Sequence, residues 1–461
     1  MEQAPNVLLI VLDATRKDHL SCYGYDRPTT PTIDSIAADG TRFEQAIATS
    51  AWTPPTHASM FTGCYPSRHG VFNSQLSLTY DGPTIAELLS ENGYRTLGFS
   101  NSYHTSTERN FHRGFDYYHD VFELPRFLGK MYDPSLDFLR FLPNYFLKNY
   151  DISDLQLRRL KTQLTQTEEP FFGFINLNAA HSPYDPPSKF RKQFEAYFDQ
   201  WDTVDKETAK HIATGNGRDY TLGDNKVTET EWNLVKCWYD GEIRYTDYLL
   251  SKFIDFFKNE GLYDDTLLIV AADHGEHFGE HNLVYHAYSL FEELVNVPLI
   301  VKWPDGHHGH NRALPSEISN NLVSLTDIAP TICEWAGIET PSGMQGRDLT
   351  IGSGRDAVFA EYDRPQPPKR DQMLETYNGF EEYDRGLQAI RTTEYKLIRT
   401  TTGEETLYRI QNGDETAVEN EKVQHQLSQR MNERLDEIPD GEHDEDLDDH
   451  VKDHLEKMGY I

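Results

Sequence analysis

The sequence predicts an α/β fold, a mostly parallel central sheet sandwiched by helices, followed by a smaller C-terminal α+β part. Three observations carry this. Short, continuously apolar runs such as VLLIVL and TLLIVAA each end abruptly at an aspartate, the pattern of parallel strands buried on both faces. Helical patterns alternate with such runs, as strand–helix–strand crossovers require. After about residue 350 the texture changes to short alternating segments set between turn residues.

In order along the chain, Asn6–Leu12 reads as the first buried strand and Thr32–Asp39 as the first helix. Thr84–Asn92 (helix), Thr96–Ser100 and Phe171–Leu177 (strands) follow. Trp232–Asn259 is a long helix, Leu267–Ala272 and Pro298–Lys302 are strands, and Leu325–Ala336 is a helix. Gln388–Arg391, Tyr395–Thr400 and Glu405–Ile410 look like antiparallel strands, with a helix near Val423–Ile438 and an acidic tail. The stretch Arg364–Tyr383, rich in Pro, Gln, Glu and Tyr, reads as a loop at the junction. This divides the chain into residues 1–350, the α/β domain, and 351–461, a small antiparallel sheet with helix and tail. No internal repeat is visible.

Composition bounds the function. Only 38% of residues are hydrophobic, yet 24 Phe, 26 Tyr and 6 Trp supply enough apolar volume for an interior, and the clustered runs exclude a disordered chain. The 75 acidic residues outnumber 43 basic ones, a net charge of −32. That surface repels a phosphate backbone and excludes nucleic acid as partner. Acidity thickens in GEHDEDLDDHVKDHLEK. A charge this large on a folded chain points to a salt-loving cell, where ions screen self-repulsion; the plainer reading is an acidic mesophilic protein. Four scattered cysteines, with no Cys-x-x-Cys pair, predict a reduced, cytoplasmic protein without disulfide framework or zinc finger. The N-terminal apolar run is six residues long with no basic segment before it, so it reads as a strand rather than a signal peptide. No stretch has the length of a membrane span.

Two strand ends carry carboxylates: Asp13 after VLLIVL, and Asp273 with His274 after LLIVAA. Sheets of this type bind ligands at the carboxyl ends of their strands, and two aspartates with an imidazole suit a divalent cation. The plainer reading of each aspartate is a turn or helix cap. A third element is SAWTPPTHASMFTG, in which Thr53 precedes two prolines and a short helix closed by Gly63. Thr53 is either an ordinary N-capping residue or a hydroxyl held over a helix N-terminus, where backbone N–H groups favour an anion. A metal would lower the pKa of such a hydroxyl and make it a nucleophile. Spacing alone leaves both open.

Longer motifs bear on the choice. NVLLIVLDATRKDHLSCYGYDRPTTPTIDSIAADGTRFEQAIA resembles the opening of sulfatases, a branch of the alkaline phosphatase superfamily. AADHGEHFGEH, FEELVNVPLI, SLTDIAPTICEWAGIETPSGMQGRDL and EYKLIRTTTGEETLYRI resemble, in order, the later sulfatase segments. The resemblance covers essentially the whole chain. It implies an alkaline phosphatase-like fold and a metal-dependent ester hydrolase acting on a small-molecule, glycan or lipid-headgroup ester. It leaves the substrate and the oligomeric state open.

The departures from the family pattern are specific. Its signature, Cys or Ser-x-Pro-Ser-Arg with a hydrophobic-Thr-Gly close, aligns on Phe61-Thr62-Gly63 so that Thr53 takes the nucleophile position and His57 that of the arginine. Threonine cannot become formylglycine, the aldehyde of ordinary sulfatases, but is the nucleophile in related phosphodiesterases and phosphoglycerol transferases. A literal match, Cys64-Tyr65-Pro66-Ser67-Arg68, lies beyond the close and offers Cys64 as an alternative, modified nucleophile. Asp13 stands without the usual second aspartate, since Ala14 follows it. Asp273-His274 replaces Asp-Asn, as in metal phosphatases and phosphonate hydrolases, so Mn²⁺ or Zn²⁺ joins Ca²⁺ and Mg²⁺ as a candidate. The resemblance implies that Asp13, Thr53, Asp273 and His274 hold one metal ion. Leu177 stands where a two-metal set would need an aspartate. His181, in NAAHSPYDPP, matches the histidine that contacts the anion or leaving group, and is the expected general acid. His286, in VYHAYSLFEE, falls where sulfatases place a lysine or histidine against the anion, and with His57 is expected to neutralise charge. The usual Lys-x-His element is absent, with Asn101 near its place. His277, Glu280 and His281 are expected as supporting loop residues. A transferase and an inactive anion-binding relative are the rival readings.

Overall fold

The computed structural model describes residues 4–120, 153–167, 170–178, 180–217, 220–221, 226–305, 314–351, 354–364, 369–377, 379–411 and 413–438. Its first strand, β1 (Asn6–Leu12), is the apolar run read from sequence, and Val7–Leu12 are essentially without solvent contact. Each such side chain contributes about 1.5–3 kcal/mol when removed from water, so the run belongs at the centre of a sheet. It pairs in parallel with β5 (Phe171–Leu177) on one side and β6 (Thr266–Ala272) on the other. Beyond β5 lie β3 (Arg95–Ser100) and the edge strand β4 (Tyr117–Asp120). Beyond β6 come β9 (Asn296–Lys302), β2 (Thr41–Ile47) and β10 (Ile318–Ser324), which makes eight strands among the described residues.

The sheet is parallel except at β9, which runs antiparallel to both neighbours. The segment from β6 to β9 makes no helical crossover. It stays at the carboxyl edge, folds the small hairpin of β7 (His277–Phe278) and β8 (Val284–Tyr285), and re-enters the sheet from that edge. A chain returning from the edge it left must run antiparallel.

Two helix groups pack on the sheet. One comprises α1 (Pro31–Ala38), Ser153–Leu164 and the 31-residue helix Glu229–Asn259. The other comprises α2 (Thr53–Thr62), Ile85–Glu91 and Ile328–Ala336. A second, antiparallel sheet follows in the order β11 (Val358–Tyr362), β12 (Leu387–Arg391), β13 (Tyr395–Thr400), β14 (Glu405–Gln411) and β15 (Asp414–Ala417), with the helix Glu421–Asn432 against it. The sheets are joined by buried charge: Glu292 meets Arg391 at 3.3 Å and Lys396 at 3.2 Å, and the Glu361 N–H donates to the Thr49 carbonyl.

The α/β fold, the central β1 and the later antiparallel sheet agree with the sequence reading. The stretch read as loop, Arg364–Tyr383, instead contains the helix Lys369–Thr376 and a 3₁₀ turn at Phe380–Glu382. The acidic tail lies outside the described residues. Among the described residues no helix is long and apolar enough to cross a membrane.

Candidate active site

The register of β1 and β6 builds the site. Leu12 pairs with Ala272, so Asp13 and Asp273, the next residue of each strand, emerge side by side at the carboxyl edge. Both are fully buried. The Asp273 Oδ1 accepts from the backbone N–H of Ala14 (3.1 Å) and of His274 (3.0 Å), which aims Oδ2 into the site. Asp13 is held by its backbone N–H on the Leu177 carbonyl (2.9 Å) and by Asn176 Nδ2 on Oδ2 (3.4 Å).

His274 Nδ1 lies 3.0 Å from the Gly275 carbonyl. That bond assigns the proton to Nδ1 and leaves the Nε2 lone pair facing inward. Nε2 is 3.7 Å from Asp13 Oδ1 and 3.6 Å from Asp273 Oδ2. Those two oxygens are buried with no hydrogen-bond partner. One donor atom from each of Asp13, Asp273 and His274 lies within 4.8 Å of the others. Two orphaned carboxylate oxygens converging with an imidazole nitrogen fit a divalent ion, whose charge would offset burial. Burial first and then Asp273 push the Asp13 carboxyl up to about 6. Burial likewise pushes Asp273 up to about 7 and His274 down to about 3.

Thr53 opens α2. Trp52 before it is extended, Pro54 and Pro55 fix the first turn, and Gly63 closes the helix at φ 66°. Thr53 Oγ1 lies 3.3 Å from His274 Nε2, so the hydroxyl sits over the carboxylate–imidazole trio at a helix N-terminus. Cys64 is just past the opposite end of this ten-residue helix, roughly 15 Å away at 1.5 Å per residue. Its thiol is buried against the Tyr80 hydroxyl and the Gly343 carbonyl.

The histidines divide into two sets. His57 lies beneath Thr53, fully buried, with Nδ1 bonded to the Thr53 carbonyl (2.9 Å) and 3.6 Å from Asp273 Oδ2. Burial pushes its pKa down to about 3, which works against the positive charge expected of it, and its Nδ1 contact ties it to the Thr53 backbone. His286 and His181 stand at the opening. The His286 ring centroid is 4.4 Å from that of His274 and 5.1 Å from that of His181. His181 Nδ1 is 2.6 Å from the Ser182 carbonyl, which turns its Nε2 away from the backbone.

The supporting residues fall outside the trio. His277 meets Ser289 (2.8 Å), Glu280 meets Arg16 (2.9 Å) and His281 meets Glu293 (3.4 Å). A second group, His281, Glu293 and Glu415, also converges within 4.8 Å, but Lys396 pairs with Glu415 and His281 with Glu293, so its charges are already met. Asn101 donates to Ser153 Oγ (2.8 Å). Glu276 was missed in the sequence: its carboxyl is fully buried, pushed up to about 8 by burial, and 2.9 Å from His286 Nδ1. Its signal was present in the GEH that follows Asp273-His274.

Comparison with known proteins adds an independent finding. Residues 5–338 match the family described as Sulfatase. Residues 279–440 match that described as N-sulphoglucosamine sulphohydrolase, C-terminal. The chain is 23% identical over 439 residues to an ulvan-active sulfatase of Formosa agariphila, spanning 89% of this chain and 75% of that one. It is 25% identical over 422 residues to arylsulfatase K of Bos taurus, spanning 88% and 75%. Its structure is similar to that of the phosphonate monoester hydrolase of Agrobacterium radiobacter, with TM-score 0.70 at 21% identity over 93% of this chain and 95% of the other.

Proposed function

The chain belongs to the sulfatase family and is an ester hydrolase, and from that premise we propose that it cleaves phosphate, phosphonate or sulfate esters with Thr53 as nucleophile. The observation that carries this is the Thr53 hydroxyl, held at the N-terminus of α2 and 3.3 Å from His274 within the Asp13–Asp273–His274 trio. Asp13, Asp273 and His274, with Thr53, would hold one divalent ion, Mn²⁺, Zn²⁺, Ca²⁺ or Mg²⁺. When bound, such an ion supplies positive charge that lowers the hydroxyl's pKa and polarises the ester.

The residues then divide the work of a double displacement. Thr53 gives up its hydroxyl proton to solvent, and its Oγ attacks phosphorus or sulfur in line with the leaving oxygen, whose bond breaks. The backbone N–H of Thr53, the free donor left at the start of α2 because Pro54 and Pro55 have none, and the imidazole of His286 receive the anionic oxygens. His181 gives a proton to the leaving oxygen. His57 and Asp273 keep Thr53 in place from below. Water then cleaves the Thr53 ester.

Thr53 has a single oxygen, so its ester is cleared only by attack at phosphorus or sulfur. The formylglycine of ordinary sulfatases carries a second hydroxyl that expels sulfate by elimination. This favours phosphate and phosphonate esters as substrates, with sulfate binding but turning over slowly. Matched nitrophenyl phosphate, phosphodiester, phosphonate and sulfate, assayed with defined metals at high salt, test the reading. Faster multiple turnover of the sulfate would reverse it. The charge of −32 further supports a salt-adapted protein.

A further inference from the structure

The chain leaves β1 through an uncommon turn. Ala14, directly after Asp13, adopts the left-handed region at φ 54° and is fully buried. A residue with a Cβ is disfavoured there, and glycine is the one that enters it freely. Such a conformation persists where the surroundings enforce it. Here the enforcing group is Tyr239, from the long helix Glu229–Asn259. Its hydroxyl donates to the Ala14 carbonyl at 2.8 Å and accepts from the Arg16 N–H at 2.8 Å, so one oxygen closes the turn from both sides.

That hydroxyl is itself placed by packing. Tyr239 has no solvent contact, and its ring meets those of His19, Tyr184 and Phe278 edge-on at 5.0, 5.5 and 4.8 Å. The turn it closes reaches the neighbouring strand end by two contacts. The Ala14 N–H donates to Asp273 Oδ1 at 3.1 Å, which leaves Oδ2 towards His274 Nε2 at 3.6 Å. Arg16 Nη1 donates to the Glu276 carbonyl at 3.0 Å. Rotating Ala14 out of the left-handed region turns its N–H relative to the chain that follows. Asp273 and Arg16 could not then both keep their contacts.

We propose that Tyr239 is a positioning residue for the metal site: its hydroxyl holds Ala14 left-handed and, through the Ala14 N–H, presets Asp273 beside Asp13 before a divalent ion arrives. This rests on the reading of Asp13, Asp273 and His274 as metal ligands. A preset ligand set binds more tightly because less ordering is left to the binding step.

The full chain is titrated with Mn²⁺ and with Zn²⁺ by calorimetry at about pH 8. Tyr239→Phe removes two hydrogen bonds from the turn and should weaken binding by about tenfold or more. Tyr23→Phe is the matched control. The Tyr23 hydroxyl also accepts from a backbone N–H, that of Leu299 at 3.0 Å, and donates to a carbonyl, that of Phe43 at 3.2 Å, but between β9 and β2. This control should lower the thermal midpoint as Tyr239→Phe does, yet leave affinity within about twofold of wild type. Adding Ala14→Gly to Tyr239→Phe should return affinity to within about threefold of wild type, because glycine holds the turn without the hydroxyl. Hydrogen exchange on the metal-free wild type should find the peptide spanning residues 13–16 already protected. Undiminished affinity in Tyr239→Phe, an equal loss in Tyr23→Phe, no rescue by Ala14→Gly, or unprotected amides in that peptide would each overturn the proposal. The metal reading fails by a different result: a wild type that binds neither ion, or an Asp13→Asn variant that binds as tightly, would sink it and the role of Tyr239 with it.

Discussion

His274 donates Nδ1–H to the Gly275 carbonyl and turns its lone pair towards Asp13, Asp273 and Thr53. Metal binding at this trio must displace protons only from the carboxyls, because burial already holds His274 neutral with a pKa near 3. Asp273 and Asp13 are raised to about 7 and about 6. Protons therefore compete with the ion below pH 7, and affinity should fall as pH drops through about 7 and then about 6. Competition titrations at about pH 8 and about pH 6 should differ by about tenfold or more; equal affinities would place the ion elsewhere. Elemental analysis should give one ion per chain, lost in Asp13→Asn and Asp273→Asn. Thr53→Ala should lower turnover by about 10³-fold or more, while Cys64→Ala leaves it nearly intact. An aldehyde at Cys64 by mass spectrometry would reverse that pairing. At this scale Asp13, Asp273, His274 and Thr53 were legible because each stands beside a strong local signal, a strand end or a proline-led helix start. Glu276 and Asn176 were not, since their roles depend on side-chain directions that no spacing encodes.

The elements deliver these residues with little freedom. The in-register pairing of β1 with β6 fixes the two aspartates, and α2 fixes Thr53 through its prolines. The turn after β6 is as constrained: a Cβ on Gly275 would run into the Glu293 carbonyl oxygen. Gly275→Ala should therefore push His274 and Glu276 out of line, costing about 1–3 kcal/mol of stability and most activity although every ligand remains. Denaturant melts beside kinetics check this, and a variant of wild-type stability and rate would show the turn to be pliable. Strands buried on both faces were readable from composition alone. β2, β4 and β10 were not: TRFEQAI, YYHD and ISNNLVS are polar or mixed, and tertiary pairing overrides their weak local preference. The helix Lys369–Thr376 was hidden by the Pro-rich sequence just before it.

For the whole molecule, charge sets the conditions of folding. With −32 spread over 461 residues, self-repulsion opposes the compact state until salt screens it. The thermal midpoint should rise by at least ~5 °C between about 0.1 M and about 2 M KCl, followed by circular dichroism; a flat response would favour the plain acidic reading. The strand order has a different consequence, one of timing. β1 is near the start of the chain, but its partners begin at Phe171 and Thr266. At about 5–20 residues per second, a ribosome needs roughly 13–50 s to make the 260 residues separating Asn6 from its partner Thr266. During that interval VLLIVL, unpaired until β5 is made and open on one edge until β6 follows, is an uncharged, strand-forming segment, the kind that nascent chains shield with chaperones or lose to aggregation. Stalled chains ending before residue 260 should bind such chaperones through β1 and release them once β6 has emerged.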